Sequence, residues 1–252
     1  MNTLFTGKHI IALDEIPSTN TYAMELLKKG SLTEGTLITA FAQTGGRGQL
    51  GNTWQTEPGK NLTFSLIMQP RFVPATRQFY LSKITSLAVL GMLTEFLPAS
   101  QYDIQIKWPN DVLVNGQKIA GILIENVLAG ANMQHSVIGA GININQEEFG
   151  PVKRRATSLR LLLGREVDVN EPLERFCRHF EALYLALKSG RKETISRQYL
   201  LNLYLYQRHA AYRVTGKELQ AKIMGVEENG LLILETGMGL LRFNFKEIEF
   251  LQ

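Results

Sequence analysis

Asn115-Gly116 separates two apolar, β-branched runs, Val112-Leu113-Val114 and residues 117–125. Asn followed by Gly suits a two-residue turn whose central positions need positive φ, so the pair predicts a tight β-hairpin. A hairpin requires antiparallel pairing and argues against a sheet made only of parallel strands crossed by helices. Strand-like runs are expected over residues 9–13, 36–42, 62–68, 103–106 and 136–144. Helical spacing appears over residues 75–97, 171–188 and 193–204. Another helix follows the capping residues Ser18-Thr19-Asn20 and ends at Gly30. Interleaved strands and helices with a hairpin imply an α+β fold with a mixed sheet. Beyond Gln207 the pattern shifts to short strands with turns at Thr215-Gly216, Asn229-Gly230 and Thr236-Gly237. The shift predicts a larger domain over residues 1–206 and a small β domain over 207–252.

A chain of 252 residues can bury a full core in such a large domain. Its net charge of +4 suits phosphate-bearing ligands or an acidic partner, and is too weak and dispersed to imply nucleic acid. The densest basic cluster, Lys153-Arg154-Arg155, reads either as a solvated loop or as a binding contact. The single cysteine, Cys177, excludes an internal disulfide and an ordinary cysteine-rich zinc site, and its helical surroundings predict a buried thiol. No apolar run approaches the roughly 18 residues of a membrane span. Residues 1–8 lack the apolar core of a secretion signal. A soluble, cytoplasmic protein without a membrane partner is expected.

Polar residues concentrate near the hairpin. Lys107-Trp108-Pro109-Asn110-Asp111 precedes it, and Lys118 lies early in its second strand. Charges at such a core boundary are costly unless paired, and an anionic ligand would pair them. Regular alternation puts Lys118 on one face with Ala120, Ile122 and Ile124. A lysine near a hairpin tip also reads as simply solvated. Asp111 could pair with a lysine or hold Mg²⁺ at a polyphosphate. The loop Gly45-Gly46-Arg47-Gly48-Gln49-Leu50-Gly51 could bring backbone N–H groups and a guanidinium to an anion, or be a flexible connector. It matches neither phosphate-loop nor dinucleotide templates. Trp54 could cover a flat ring or anchor the loop. Gly139-Ala140-Gly141-Ile142-Asn143 suggests close approach of a ligand or another backbone. Ser18, Thr19, Asn20 and Gln43 would suit an uncharged polar head group, although the first three also read as a helix cap.

In this order, these segments resemble the biotin protein ligases, also called biotin–[acetyl-CoA-carboxylase] ligases. The resemblance runs from Ser18-Thr19-Asn20 through Gln43, Gly46-Arg47-Gly48, Trp54, Pro58-Gly59-Lys60-Asn61-Leu62, the Lys107–Asp111 block, residues 118–125 and 139–143 to Thr157-Ser158-Leu159. It implies a catalytic domain of the class II aminoacyl-tRNA synthetase type followed by an SH3-like barrel. It also implies a two-step reaction: biotin and Mg-ATP give biotinyl-5′-adenylate, and a lysine of a biotin carboxyl carrier domain then takes the biotin. By the same resemblance, Ser18, Thr19, Asn20, Gln43, Arg47, Gly48, Gln49, Lys118 and Gly121 belong to the biotin site, with Lys118 and Arg47 catalytic. Arg47, Gln49, Trp54, Asn61, Lys107, Asn110, Asp111 and Asn143 belong to the ATP site, with Asp111 near the metal. The expected partner is the carrier protein of acetyl-CoA carboxylase or a related carboxylase, and the enzyme is expected to be a monomer or homodimer.

Two departures stand out. The family's loop often reads Gly-Arg-Gly-Arg-Arg-Gly-Arg, whereas this chain has Gly46-Arg47-Gly48-Gln49-Leu50-Gly51-Asn52. Weaker retention of the adenylate is expected. Some relatives carry an N-terminal DNA-binding helix-turn-helix, whereas the first strand here is expected by His9, which implies the catalytic-only form without DNA binding. A lipoate or octanoate ligase and a non-catalytic biotin sensor remain as rival readings. The first usually shows a Gly-Gly-Gly loop and a His-Asp pair, which this chain lacks.

Overall fold

The computed structural model describes residues 1–30, 32–150 and 156–251; the Lys153-Arg154-Arg155 cluster lies outside them. The chain opens with β1 (Ile10–Ile16), α1 (Thr19–Lys29), β2 (Leu37–Gln43) and β3 (Leu62–Met68). There follow α2 (Phe79–Thr94), β4 (Ile104–Lys107), β5 (Asp111–Val114), β6 (Gln117–Ala129) and β7 (Asn132–Ile142). Helices α3 (Leu159–Leu163), α4 (Asn170–Lys188) and α5 (Lys192–Leu201) lead to β8 (His209–Val214), β9 (Lys217–Val226), β10 (Leu232–Thr236), β11 (Gly239–Phe243) and β12 (Ile248–Phe250).

Strands β1 to β7 form one sheet in the order β1-β2-β3-β7-β6-β5-β4. Only the β1–β2 pair is parallel, so the sheet is mixed as expected. The predicted turn is present, with Asn115 at φ 50° and Gly116 at φ 76°. Every residue of β3 is buried, as in a strand covered on both faces. Leu62, Phe64, Leu66 and Met68 join the main core with apolar residues of α2 and α4. On the other face, Ile38, Ile67 and Val137 pack with Ala23 of α1. Helix α1 packs on the β2–β3–β7 part of that face, and a cavity lies beside it.

The remaining strands form a second sheet in the order β11-β10-β9-β8-β12. An SH3-like barrel was expected; the small β domain is present, but among the described residues β11 and β12 are the two edges of an open strand order, so it is not closed as a barrel. Cys177 is fully buried in α4, and burial pushes its thiol pKa up to about 12. Among the described residues, no helix is long and apolar enough to cross a membrane.

Candidate active site

The site depends on an irregularity in the hairpin. Val112 pairs with Ala120 and Leu113 with Lys118, so Ile119 is the extra residue of a bulge. Ala120 and Ile122 face the main core. Regular alternation predicted that Lys118 would share their face, and it does not. The extra residue switches it to the face of Gly121: a Cβ on Gly121 would lie 3.3 Å from Lys118 Nζ. Asp111 pairs with Gly121 across the hairpin, and Lys118 Nζ lies 2.6 Å from Asp111 Oδ1. The indole of Trp54 lies over this pair, with Lys118 Nζ 5.4 Å from its ring centre.

Gly121, Gly139 and Gly141 form the floor of a cavity of about 600 Å³, a size suited to a small-molecule ligand. The glycines are required by close approach: a Cβ on Gly141 would overlap the Trp54 indole, and one on Gly139 would overlap the Asn20 amide. The Trp54 indole N–H is itself buried with no hydrogen-bond partner among the described residues.

One end of the cavity is neutral and hydrogen-bonding. Asn20 Nδ2 donates to the Leu123 carbonyl (3.1 Å) and to Glu125 Oε2 (2.9 Å), while its Oδ1 accepts from Ser65 Oγ at 2.6 Å. Gln43 Oε1 accepts from the Thr19 N–H (2.8 Å) and hydroxyl (3.2 Å). Ser18 occupies the N-cap position of α1, but its hydroxyl makes no capping hydrogen bond and it lines the cavity instead. The helix-cap reading of these residues therefore covers only the backbone geometry.

The loop over this end is a small hairpin. Gly48 N donates to the Asn52 carbonyl (2.7 Å) and Trp54 N to the Gly46 carbonyl (2.9 Å). Arg47 Nη2 pairs with Glu125 Oε1 at 3.0 Å, and Gln49 lines the cavity beside it.

The other end carries Lys107, Asn110, Asp111 and Lys118. Asn110 Nδ2 donates to the Ile122 carbonyl at 2.9 Å, which holds the turn between β4 and β5 against β6. Lys107 Nζ lies 4.7 Å from the ring centre of Phe250. The second sheet thus supplies a wall: Phe245, Lys246, Ile248, Glu249 and Phe250 all line the cavity.

Two residues that the resemblance assigns to the nucleotide do not reach the cavity. Asn61 is buried, donates to Gln146 and accepts from the Ile144 N–H at 3.0 Å. Asn143 is buried and donates to the Thr157 carbonyl at 3.0 Å, while the Thr157 N–H donates to the Lys118 carbonyl at 2.9 Å. Asn143 braces the backbone behind Lys118, and Asn61 braces the segment that follows β7. Sequence reasoning missed Ser65, the wall at residues 245–250 and a role for Glu125. Ser65 left a trace, as a hydroxyl inside the otherwise apolar run of β3. The wall left none.

Among the described residues, Asp111 and Glu249 are the carboxylates lining the cavity, and Glu249 pairs with Arg213 at 3.1 Å. Among the described residues there is no cluster of three or more potential metal ligands. This set does not fit a resident metal. It fits one carried in on a polyphosphate, which needs only one or two protein carboxylates.

Residues 12–143 match the biotin/lipoate A/B protein ligase family. The bifunctional ligase/repressor BirA of Bacillus subtilis is 31% identical over 99% of this chain and 76% of its own length. The biotin–[acetyl-CoA-carboxylase] ligase of Mycobacterium tuberculosis is 28% identical over 89% of this chain and 84% of its own. The solved biotin protein ligase from Aquifex aeolicus, in complex with biotin and ATP, superposes with a TM-score of 0.79 at 26% identity, covering 96% of this chain and 98% of that one. Its fold, its glycine-floored cavity and these similarities make the chain a member of the biotin/lipoate A/B protein ligase family.

Proposed function

We propose that the chain is an ATP-dependent biotin–[acetyl-CoA-carboxylase] ligase. The observation that carries this reading is the polarity of one cavity. Neutral donors and acceptors line its β2–β3 end, two cations, a carboxylate and an amide line its β4–β5 end, and a glycine floor joins them. Such a site suits a molecule with an uncharged polar head, an apolar chain and a carboxylate that must meet a phosphate.

In this reading Ser18, Thr19, Asn20 and Gln43 hold the biotin head. Arg47, Gly48 and Gln49 cover it, and Gly121 leaves room for the chain. Lys107, Asn110, Asp111 and Trp54 face the nucleotide, while Asn143 supports that end from behind and Asn61 braces the segment that follows β7. A biotin carboxylate oxygen attacks the α-phosphorus of ATP, the bond to the bridging oxygen breaks, and pyrophosphate leaves. Lys118 draws the two anions together and stabilises charge on the phosphoryl oxygens. Mg²⁺ bound with ATP would neutralise phosphate charge, with Asp111 as its protein ligand. The amine of a carrier lysine then attacks the acyl carbon, AMP leaves and the amine loses a proton. Covering the site protects the mixed anhydride from water. The acceptor in this reading is the carrier protein of acetyl-CoA carboxylase or a related carboxylase, in the cytoplasm. Residues 1–206 form the biotin and ATP domain, and residues 207–252 form the small domain that walls it.

The test is labelling of a carrier domain by purified protein with ATP and biotin, read by avidin blot. Labelling that needs both substrates is expected. Folded protein that labels no carrier sinks the proposal, and labelling that lipoate or octanoate supports as well as biotin would move it to the lipoate branch of the family.

A further inference from the structure

Between β9 and β10, residues 227–231 form a tight turn. Gly230 N donates to the Glu227 carbonyl at 3.0 Å and Glu227 N to the Leu231 carbonyl at 2.9 Å. The turn is wedged between two parts of the large domain. On one side Glu228 grips the start of α2: Oε2 pairs with Arg77 Nε at 2.8 Å, Oε1 accepts from the Tyr80 hydroxyl at 3.0 Å, and the Glu228 carbonyl accepts from the Phe79 N–H at 3.3 Å. On the other side, the Gly230 carbonyl accepts the buried indole N–H of Trp108 at 3.0 Å. The Trp108 ring also packs on Phe245, at 5.2 Å between ring centres.

Trp108 lies inside the Lys107–Asp111 turn, and Phe245 begins the wall that the second sheet gives the cavity. The grip on α2 is thus joined through one rigid turn to both halves of the cationic end. Among the described residues, the second sheet makes no such link to the Asn20–Gln43 end.

We propose that Glu228 is a positioning residue for the nucleotide end of the site, acting through the Gly230 carbonyl on Trp108. It touches no reacting atom. It fixes the second sheet against α2, so that the Lys107–Asp111 turn and the Phe245–Phe250 wall keep one spacing. The link to ATP rests on the ligase reading above, whereas the mechanical link from Glu228 to Trp108 does not.

Glu228 is exposed enough that removing it should leave the fold intact. The chain has two tryptophans, so their indole N–H resonances are assigned by one Trp54→Phe variant. In Glu228→Ala, solvent exchange of the Trp108 indole N–H should accelerate by roughly fivefold or more, the scale of a lost ion pair with one hydrogen bond. The KM for ATP should rise by a similar factor, while the affinity for biotin alone stays within about twofold. Glu228→Gln, which can still accept from Tyr80, should recover part of both effects. Because both residues act through one turn, Trp108→Phe and Glu228→Ala should be less than additive on the KM for ATP. Unchanged Trp108 exchange overturns the mechanical link whether or not the chain ligates biotin. Faster exchange with an unchanged KM for ATP, or an equal loss of biotin affinity, overturns the positioning role.

Discussion

Lys118 and Asp111 meet at 2.6 Å on the cavity side of a hairpin whose opposite side is apolar core. The carboxylate holds the ammonium over Gly121, where the proposed reaction would bring anionic ligands to compete for it. Lys118→Ala is therefore expected to lower biotin-dependent ATP–pyrophosphate exchange by about a hundredfold or more, with the unfolding midpoint little changed. Near-normal exchange in that variant would remove Lys118 from the mechanism.

Gly139→Ala should act at the opposite end. Its Cβ would overlap the Asn20 amide, which must then give up Ser65 or Glu125. Biotin affinity, measured by calorimetry, should fall by about tenfold or more, the scale of one lost buried hydrogen bond, with ATP affinity nearly constant. Equal losses for both ligands would contradict the division of the cavity.

Gln49→Arg restores one cation to the loop beside Arg47 and should slow dissociation of the preformed adenylate. The measurement is a chase with excess unlabelled biotin. Release as fast as in wild type would show that the missing arginines do not govern retention.

Glu181 sets an acid limit on stability. It is buried in α4 and accepts the N–H groups of Leu4, Phe5 and Thr6 at 2.6, 2.9 and 2.9 Å. Burial raises its pKa, but these hydrogen bonds outweigh burial and hold it below the ordinary 4.5. Its stabilisation is present above the unfolded value and is lost as pH falls through the lower folded one. Glu181→Ala should cost roughly 3 kcal/mol at neutral pH in urea unfolding, and that gap should narrow as pH falls below 4.5. A gap independent of pH would mean that packing, not the anion, matters there.

Lys83 predicts the opposite sign at alkaline pH. It is buried in α2, and desolvation lowers its pKa from 10.5 to about 8 despite the attraction of Glu228. Folding disfavours its protonated form, so the penalty is full below about pH 8, shrinks as pH rises and disappears above 10.5. Lys83→Met should stabilise the protein at pH 7 by up to roughly 3 kcal/mol, less what the Ser196 hydrogen bond and the Tyr80 and Tyr199 rings return. The advantage should shrink between pH 8 and 10.5; a constant advantage would refute the ionisation argument.

The hairpin turn was legible because Asn115-Gly116 encodes it locally. The Lys107–Asp111 block and the Ser18–Asn20 segment were legible through their order along the chain. The facing of Lys118 was not, since a period of two cannot reveal that Ile119 is an extra residue. Asn61 and Asn143 look like site residues in sequence because an amide that braces a backbone and one that binds a ligand are the same residue type. The wall at residues 245–250 is more than a hundred positions from Lys118, and only the docking of the second sheet brings the two together.

Ser65 has a single hydroxyl hydrogen and two oxygens in reach, Thr19 Oγ1 at 2.8 Å and Asn20 Oδ1 at 2.6 Å. It can satisfy one of them at a time. An amide oxygen can only accept, so the Ser65 hydrogen belongs to Asn20 Oδ1. The Thr19 hydroxyl is left to donate either to Ser65 Oγ or to Gln43 Oε1 at 3.2 Å. One hydroxyl hydrogen can thus be turned to suit a ligand while every heavy atom stays in place.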